Sequence, residues 1–355
     1  RCFRILGGAF VPKIIIAFLG AMLFSYVLTP YVIKLAHRIG AIDVPKDDRR
    51  VHSKPIPRLG GIAIFGGFFI VSTLLIPLSR EMMGFLLASV IMIIMGILDD
   101  TRGLGAKTKL LIQITCALIV FVFGVRIEFL TNPFDKETGM LYLGILALPL
   151  TVFWIVGITN TVNLIDGLDG LAAGISAISA ITLSLIAYMS NDITSTILLV
   201  ALAGGAIGFL PFNFNPAKIF MGDTGSLFLG FALSVISIEA AIKSAATLAV
   251  VVPILALGIP IFDTTFAIIR RANAGRPIME ADKGHLHHRL LSRGLSQKQT
   301  VIALYLMSCI LGASAIFIAE ASMKSAMIVL TLDLLLIIYG VFRLKILTHT
   351  QEEVK

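Results

Sequence analysis

Long apolar stretches recur along the whole chain and are separated by short polar connections. A membrane-spanning helix needs about 20 mostly apolar residues. By that rule the candidate segments lie near residues 14–36, 60–78, 82–98, 108–125, 143–159, 171–190, 193–210, 226–243, 246–269, 299–319 and 325–346. Pro253 and Pro260 predict a break within the 246–269 segment. The pattern predicts an all-α, polytopic integral membrane protein with ten or eleven transmembrane helices, forming a single domain over residues 1–355.

The composition supports a membrane protein. Apolar residues make up 57% of the chain and charged residues 14%, whereas soluble domains have about 45–50% and about 25%. This shortage of charge excludes an ordinary soluble enzyme, a disordered protein and a nucleic-acid partner, despite a net charge of +8. Cys2, Cys116 and Cys309 have no metal-binding spacing and are expected to be free thiols. No small-residue cleavage site follows the first apolar segment, so a retained membrane anchor is expected.

The basic residues predict the orientation. With eleven spans, one side of the membrane holds the C-terminus and the connections 37–58, 99–107, 160–170, 211–225 and 270–298. All but eight of the 29 Lys and Arg residues belong to that side. Because Lys and Arg are enriched in cytoplasmic loops, the N-terminus is expected outside and the C-terminus inside. On the outer side, turn residues within 126–142 predict a short hairpin.

Acidic residues gather on the predicted cytoplasmic side, next to the ends of several apolar segments. Carboxylates beside hydrocarbon are costly unless they are paired, hydrated or bound to metal. Asp99 and Asp100 end a helix, where the macrodipole disfavours each negative charge by about 0.3–1 kcal/mol. A solvated helix end with Arg102 as partner would explain one such residue. Two in sequence favour a functional role, with a cation offsetting their charge.

The stretch from Asn160 to Gly174 carries a polar repeat. Its members are Asn160, Asn163, Asp166 and Asp169, which recur every third residue, so neighbouring members would share one face of a helix. Amide and carboxylate oxygens suit a hard cation such as Mg²⁺ or the polar edges of a nucleotide. The alternative is that these residues only cap two helices at a short turn. A cap needs one such residue, so four favour a functional site.

The stretch FNFNPAKIFMGDTGS, residues 212–226, opens another apolar segment. Asp223, Thr224 and Ser226 are residue types that cap helix N-termini, and a helix N-terminus also attracts anions. Phe214 and Phe220 offer flat apolar faces to a nucleobase, although packing is the alternative for a phenylalanine in a membrane protein.

Two loops are rich in basic residues. The 270–298 loop adds His285, His287 and His288, which could bind zinc, but the surrounding cations would repel a divalent ion and suit a diphosphate better. In the 37–58 loop, Arg49 and Arg58 lie where the phosphate of a lipid would sit. Binding to anionic lipid headgroups is the alternative for the basic residues, but it leaves the histidines unexplained.

Four of these motifs together resemble a known family. ILDD (97–100), NTVNLIDGLDGL (160–171), FNFNPAKIFMGDTGS and HLHHRL (285–290) are similar to motifs of the polyprenyl-phosphate N-acetylhexosamine-1-phosphate transferases. The resemblance extends from about Val44 to Gly294 and implies ten or eleven transmembrane helices with a cytoplasmic site. The histidine motif resembles the HxHH pattern of the WecA/TagO branch more than the HHH of the MraY branch. This implies UDP-GlcNAc as the donor.

The resemblance also implies roles for individual residues. Asp223 would bind Mg²⁺, for which Mn²⁺ could substitute, with Asp166 able to share the ion. The residues around the uridine would be Asn163, Asp169, Asn213 and Phe220, with Phe220 under the uracil. Those near the phosphates would be Asp99, Asp100 and Lys109, and the loop that closes over the sugar phosphate would carry His285, His287, His288 and Arg289. Asn160, Arg49 and Arg58 are further candidates for substrate binding.

The implied activity is transfer of GlcNAc-1-phosphate from UDP-GlcNAc to a polyprenyl phosphate in the membrane, with release of UMP. Such a reaction would be the first membrane step in the synthesis of an envelope glycan such as lipopolysaccharide or teichoic acid. Transfer of phospho-MurNAc-pentapeptide, as in the MraY branch, is the main alternative. A secondary transporter of an anionic solute, with Asp263 and Asp333 as coupling groups, is the alternative from another class. Homodimers occur in the family, so a homodimer is a further expectation.

Overall fold

Helices account for most of the structure. The computed structural model describes residues 2–44, 55–131, 140–243, 250–275, 284–344 and 346. The longer helices are α1 (Cys2–Ile39), α2 (Gly61–Leu75), α3 (Arg80–Arg102), α4 (Ala106–Phe123), α5 (Ala147–Leu164), α6 (Leu171–Met189), α7 (Ile193–Asn213), α8 (Gly222–Lys243), α10 (Gly258–Asn273), α12 (Gln297–Glu320) and α13 (Met323–Leu344). The short ones are α9 (Val251–Ala256) and α11 (Leu286–Leu291), with a 3₁₀ turn at Gly144–Leu146. The all-α prediction is confirmed.

In the part of the chain that the structure describes, each predicted apolar segment lies mostly in helix. Within the described residues, nine helices are long and apolar enough to cross a membrane, and α2 is a shorter apolar helix. The segment predicted at 246–269 is divided at Leu257 into α9 and α10, so the predicted break is confirmed. Because backbone groups in lipid must be satisfied within the segment, such a set of apolar helices defines a polytopic membrane protein.

Two short antiparallel pairs of strands complete the described elements. β1 (Ile42–Asp43) pairs with β2 (Ile56–Pro57), and β3 (Phe129–Thr131) pairs with β4 (Met140–Tyr142). The second pair confirms the hairpin predicted within 126–142, although its tip lies outside the described residues. Arg49, a predicted substrate-binding residue, also lies outside them.

Several predicted boundaries shift at the end of the bundle that carries the acidic residues. Helix α3 continues through Asp99 and Asp100 to Arg102, so the connection to α4 is shorter than predicted. Helix α5 ends at Leu164. Asn160 and Asn163 therefore lie on α5, whereas Asp166 and Asp169 lie in the turn before α6, within the predicted connection 160–170. Gly170 closes this turn with φ at +79°, in a left-handed conformation that glycine adopts without steric cost.

Helix α8 occupies the centre of the bundle. Of its most apolar 18-residue stretch, 89% is buried, compared with 11% for α13. Helices α2, α3, α5 and α6 all pack against it. At Gly96 the backbones of α3 and α8 come so close that an added Cβ would lie 2.3 Å from Thr224 Cα. This contact places the C-terminal end of α3 beside the N-terminus of α8.

Candidate active site

Asp100 links the end of α3 to the start of α8. Its Oδ1 accepts a hydrogen bond from Asp223 N at 3.0 Å, and its Oδ2 accepts bonds from Thr224 N at 3.0 Å and Thr224 Oγ1 at 2.7 Å. Arg58 Nη2 lies 3.4 Å from Oδ1, and the Asp100 side chain is 0% exposed. Asp100 thus sits at the positive end of the α8 dipole and accepts hydrogen bonds from two of the backbone amides there.

This arrangement adds partners that the sequence analysis did not identify at the two helix ends. The charge at Asp100 is offset by the α8 N-terminus and by Arg58, which the sequence placed in a separate loop. Asp223, Thr224 and Ser226 were candidates for the N-cap of α8. Asp100, on another helix, instead accepts hydrogen bonds from two backbone amides at that N-terminus. The cause is the close packing of α3 against α8, which a local sequence pattern does not reveal.

Lys109, near the start of α4, bridges two carboxylates. Its Nζ lies 2.9 Å from Asp99 Oδ2 and 3.0 Å from Asp223 Oδ2. The other oxygen of Asp99 accepts a bond from Leu104 N at 2.6 Å. The side chains of Asp99, Asp223 and Lys109 are 10%, 17% and 26% exposed. Unlike Asp100, all three can be reached by a ligand from solution.

The polar residues of α5 face the same cluster. Asn163 Nδ2 donates to Ser226 Oγ at 2.8 Å and lies 3.3 Å from Asp223 Oδ1. Asn160 Nδ2 donates to Gln113 Oε1 at 2.7 Å. Gln113 was missed by the sequence analysis, yet it lies one turn after Lys109 on α4, and residues four apart share a helix face. That spacing is the signal that could have found it.

Asp166 lies in the turn after α5 and is half-buried. Loss of hydration, together with the neighbouring carboxylates of Asp223 and Asp100, raises the pKa of Asp166 to about 7. Accumulated negative charge of this kind is relieved by a cation. Mg²⁺ is commonly held by one or two carboxylates, with water and substrate phosphates completing its shell, and Asp166 and Asp223 offer that donor chemistry. No three His, Cys, Asp or Glu side chains in the described ranges form a group that could hold a metal ion by themselves.

Asp169 and Asn213 tie the turn before α6 to the segment before α8. Asp169 Oδ2 accepts bonds from Asn215 Nδ2 at 2.9 Å and Ala217 N at 3.0 Å. Asn213 is buried, accepts a bond from Gly170 N at 3.1 Å and donates to Ile219 O at 3.0 Å. Both side chains stabilise the loops around the site. Their predicted contact with uridine stays a prediction.

Phe220 belongs to the same segment, and its backbone pairs with the region around β2. Phe220 N donates to Pro57 O at 2.8 Å, and Phe220 O accepts from Gly60 N at 3.0 Å. These bonds bring the segment before α8 beside Arg58, while the Phe220 ring is half-buried. The structure thus joins two loops that the sequence analysis treated separately.

The histidine segment lies against the turn that contains Asp166. An added Cβ at Gly167 would lie 2.5 Å from His287 Nε2. The rings of His285 and His287 are stacked at 5.8 Å, and those of His287 and His288 lie 4.3 Å apart. Burial, followed by the charge of His288, lowers the pKa of His287 to about 3, so His287 is neutral at physiological pH. Arg289 is buried and donates from Nε to Gly284 O at 2.9 Å.

Asp263 and Asp333, the two acidic residues named in the transporter alternative, both have side-chain partners. Asp263 Oδ2 lies 2.8 Å from His285 Nδ1. Asp333 accepts a bond across helices from Ser314 Oγ at 3.0 Å.

The fold and the site define a polytopic membrane protein with a carboxylate-rich polar centre at one end of its helix bundle. A family model described as "Glycosyl transferase family 4" matches residues 82–241. The chain is 45% identical to a probable undecaprenyl-phosphate N-acetylglucosaminyl 1-phosphate transferase of Bacillus subtilis (strain 168), over 87% of this chain and 86% of that protein. The chain belongs to this family of polyprenyl-phosphate N-acetylhexosamine-1-phosphate transferases, as its motifs indicated.

More distant relatives represent two branches of the family. A decaprenyl-phosphate N-acetylglucosaminephosphotransferase of Mycobacterium tuberculosis is 36% identical over 84% of this chain and 81% of that protein. A phospho-N-acetylmuramoyl-pentapeptide-transferase of a Wolbachia species is 33% identical over 82% of this chain and 95% of that protein. The similarity is therefore higher to the relatives named for N-acetylglucosamine.

Proposed function

We propose that this protein transfers GlcNAc-1-phosphate from UDP-GlcNAc to a polyprenyl phosphate, undecaprenyl phosphate in the first instance. The products are polyprenyl-diphosphate-GlcNAc and UMP. An oxygen of the lipid phosphate attacks the β-phosphorus of the nucleotide sugar, and the bond from that phosphorus to the oxygen of UMP breaks. The reaction would serve as the first membrane step in building an envelope glycan.

The observation that carries the proposal is the Lys109 bridge between Asp99 and Asp223. It joins Asp99 to Asp223 through Lys109, which lies 114 residues before Asp223 in the chain, in a family whose relatives are named for this reaction. Phosphoryl transfer depends mainly on positioning and on stabilising charge. A solvent-accessible lysine held between two carboxylates can turn toward incoming phosphates and neutralise part of their charge.

The other residues of the centre have supporting roles. Asp100 holds the N-terminus of α8 and so positions Asp223, while Asn163 orients the Asp223 carboxylate from α5. Arg58, 34% exposed beside Asp100, is placed to meet a phosphate at the membrane surface. The neutral His287 packs against the turn of Asp166 at Gly167 and so supports its shape.

Asp166 and Asp223 would hold Mg²⁺, or Mn²⁺ in its place. Bound there, the ion would supply positive charge to the diphosphate oxygens of the donor. Its affinity should depend on both carboxylates, since the nearby Lys109 and Arg58 lower the negative charge of the centre.

Two alternatives make different predictions about the substrate. Transfer of phospho-MurNAc-pentapeptide uses the same chemistry and is represented by the Wolbachia relative. A transporter would bind its solute near the middle of the membrane, whereas the charged cluster here lies at helix ends. The nucleotide donor further requires this end of the bundle to face the cytoplasm of a plasma membrane. Assembly as a homodimer remains a separate proposal.

The test is UMP release by detergent-purified protein given undecaprenyl phosphate, Mg²⁺ and either UDP-GlcNAc or UDP-MurNAc-pentapeptide. UMP and glycolipid formed only with UDP-GlcNAc, and abolished by EDTA, are the expected result. Asp223→Asn should be inactive, whereas Asp333→Asn, a buried acid far along the chain from these motifs, should retain activity. Turnover only with the pentapeptide donor would assign the protein to the other branch, and no turnover with either donor from folded protein would contradict the proposal.

A further inference from the structure

Helix α10 carries two buried charges on one face. Asp263 and Arg270 are seven residues apart, which is about two helical turns, and they are 4% and 2% exposed. Burying a charge without a partner costs several kcal/mol or more. Both charges therefore need partners. Asp263 finds them in the segment that carries the histidines, and Arg270 finds them at and beside the start of that segment.

Asp263 accepts two hydrogen bonds from the start of this segment. Its Oδ2 lies 2.8 Å from His285 Nδ1, and its Oδ1 accepts a bond from Leu286 N at 2.7 Å. An ionised carboxylate can only accept, so the proton between Oδ2 and Nδ1 belongs to His285. In a neutral ring this leaves Nε2 as the unprotonated nitrogen. Leu286 begins α11, so the second bond fixes where that helix starts.

Arg270 supports the same segment from the next turns of α10. Its Nη1 donates to Ile346 O at 2.8 Å, beyond the end of α13. Its guanidinium lies against Gly284, where an added Cβ would meet Arg270 Cζ at 2.3 Å. Arg289 in turn donates to Gly284 O. Asp263 thus binds the segment 284–289 at His285 and Leu286, and the Arg270 side chain packs against the same segment at Gly284.

We propose that Asp263 is a positioning residue that fixes both the tautomer of His285 and the start of α11. It would thereby hold the histidine segment against the turn of Gly167 with His285 Nε2 available as an acceptor. The consequence for catalysis rests on the proposed function, whereas the structural role does not. The sequence analysis gave Asp263 a role only in the transporter alternative, because its partner lies 22 residues away in a different loop.

Two substitutions of Asp263 test its effect on the tautomer of His285 separately from its support of the start of α11. Asp263→Asn keeps the size of the side chain and one oxygen to accept from Leu286 N, but its NH₂ group must face His285 Nδ1 and moves the ring proton to Nε2. Asp263→Ala removes both bonds. Asp333→Asn is the matched control, since Asp333 is also a buried acid, and its side-chain partner, Ser314, lies outside the histidine segment.

The measurements are hydrogen exchange of peptides covering 284–291 and steady-state kinetics with UDP-GlcNAc. Asp263→Asn should keep the exchange rates within about twofold of the wild type and yet lower kcat by about 10–100-fold, a loss of the size that follows removal of the partner orienting a metal-binding histidine. Asp263→Ala should raise exchange in these peptides at least fivefold. Asp333→Asn should change neither quantity.

Two results would overturn the inference. Activity of Asp263→Asn within threefold of the wild type would show that the tautomer is irrelevant, and unchanged exchange in Asp263→Ala would show that the segment does not depend on Asp263. Inactive wild-type protein with both donors would remove the proposed function but not this test. The exchange of Asp263→Ala would then decide the structural role alone.

Discussion

Asp99 and Asp100 are neighbours on α3, but they bond to different helices. Asp100 is enclosed and accepts three hydrogen bonds from α8, whereas Asp99 is partly open to solvent and pairs with Lys109 on α4. Their geometry gives Asp100 a positioning role and leaves Asp99 as the acid that a phosphate ligand can approach. The two residues should therefore respond differently to the same substitution.

Replacing Asp100 by Asn should destabilise the protein. The NH₂ group of Asn would face the amide donors of Asp223 and Thr224, so at least one buried hydrogen bond is lost at a cost of about 1–3 kcal/mol. Thermal unfolding in detergent, followed by the fluorescence of the single Trp154, should show a lower midpoint for Asp100→Asn than for Asp99→Asn. Equal midpoints would mean that Asp100 does not hold α8.

Replacing Asp99 by Asn should instead lower activity, by about a hundredfold if it misplaces the phosphate or Lys109 by about 1 Å. The loss should persist at alkaline pH. A phosphate monoester has its second pKa near 6 and is mostly dianionic at neutral pH, so the nucleophile needs little help from a base. Initial rates of wild type and variant from pH 6.5 to 9 test this. Recovery of the variant at high pH would assign Asp99 as a general base.

At the scale of elements, the close approach of α3 to α8 sets the geometry of the centre. Gly96→Ala would add a methyl group 2.3 Å from Thr224 Cα, forcing the helices apart and separating Asp100 from the amides that it binds. Overpacking of this kind costs about 1–3 kcal/mol. Both the unfolding midpoint and UMP release should fall.

Gly157→Ala on α5 is the matched control for Gly96→Ala. Its added Cβ meets no atom within 4 Å, and Ala in a helix interior is more favourable than Gly by about 1 kcal/mol. The control should keep activity with unchanged or higher stability. A Gly96→Ala protein as active and stable as the control would show that the two helices adjust without disturbing the site.

The histidine helix α11 should loosen at low pH. The pKa of His287 is about 3, below the ordinary value of 6.5, and the groups facing it are His285, His288 and Asp263. Since the neutral ring is favoured in the folded state, its contribution to stability is complete above about pH 6.5 and declines as the pH falls toward 3.

Hydrogen exchange of peptides within 284–291 at pH 7.5 and 5.5, corrected for the intrinsic effect of pH, measures this loosening. Protection should decrease at pH 5.5 in the wild type. In His287→Gln, which cannot titrate at this position, protection should change less between the two values. Identical pH dependence in both proteins would assign the effect to another group.

The helices could be predicted from the sequence because the length of an apolar run is a local property. The polar centre could be predicted only as a set of residues. Asp100 accepts a hydrogen bond from Thr224, 124 residues further along the chain, and Asp263 pairs with His285, 22 residues further along. A local sequence pattern carries no information about contacts between residues so far apart. The polar repeat shows the same limit, since its spacing fits a helix for Asn160 and Asn163 but does not say where the helix ends before the turn of Asp166 and Asp169.

At the scale of the whole molecule, the site and the β3–β4 hairpin occupy opposite ends of the bundle. Helix α3 ends at the centre with Asp99, and α4 begins there and runs to the β3–β4 hairpin at its far end. The distribution of Lys and Arg predicts that the centre faces the cytoplasm. The proposed donor, a nucleotide sugar, requires the same orientation, so the charge pattern and the chemistry can be tested together.

Cysteine labelling tests this orientation in a variant with Cys2, Cys116 and Cys309 replaced by Ser. Met140→Cys lies in the exposed part of the hairpin, and Lys107→Cys lies at the exposed start of α4, near the centre. In intact cells a membrane-impermeant maleimide should label the cysteine at 140 and spare the one at 107, which should react only after permeabilisation. UMP release by both variants controls for correct folding. The reverse labelling would place the centre outside, away from any nucleotide sugar, and would contradict both the predicted orientation and the proposed reaction.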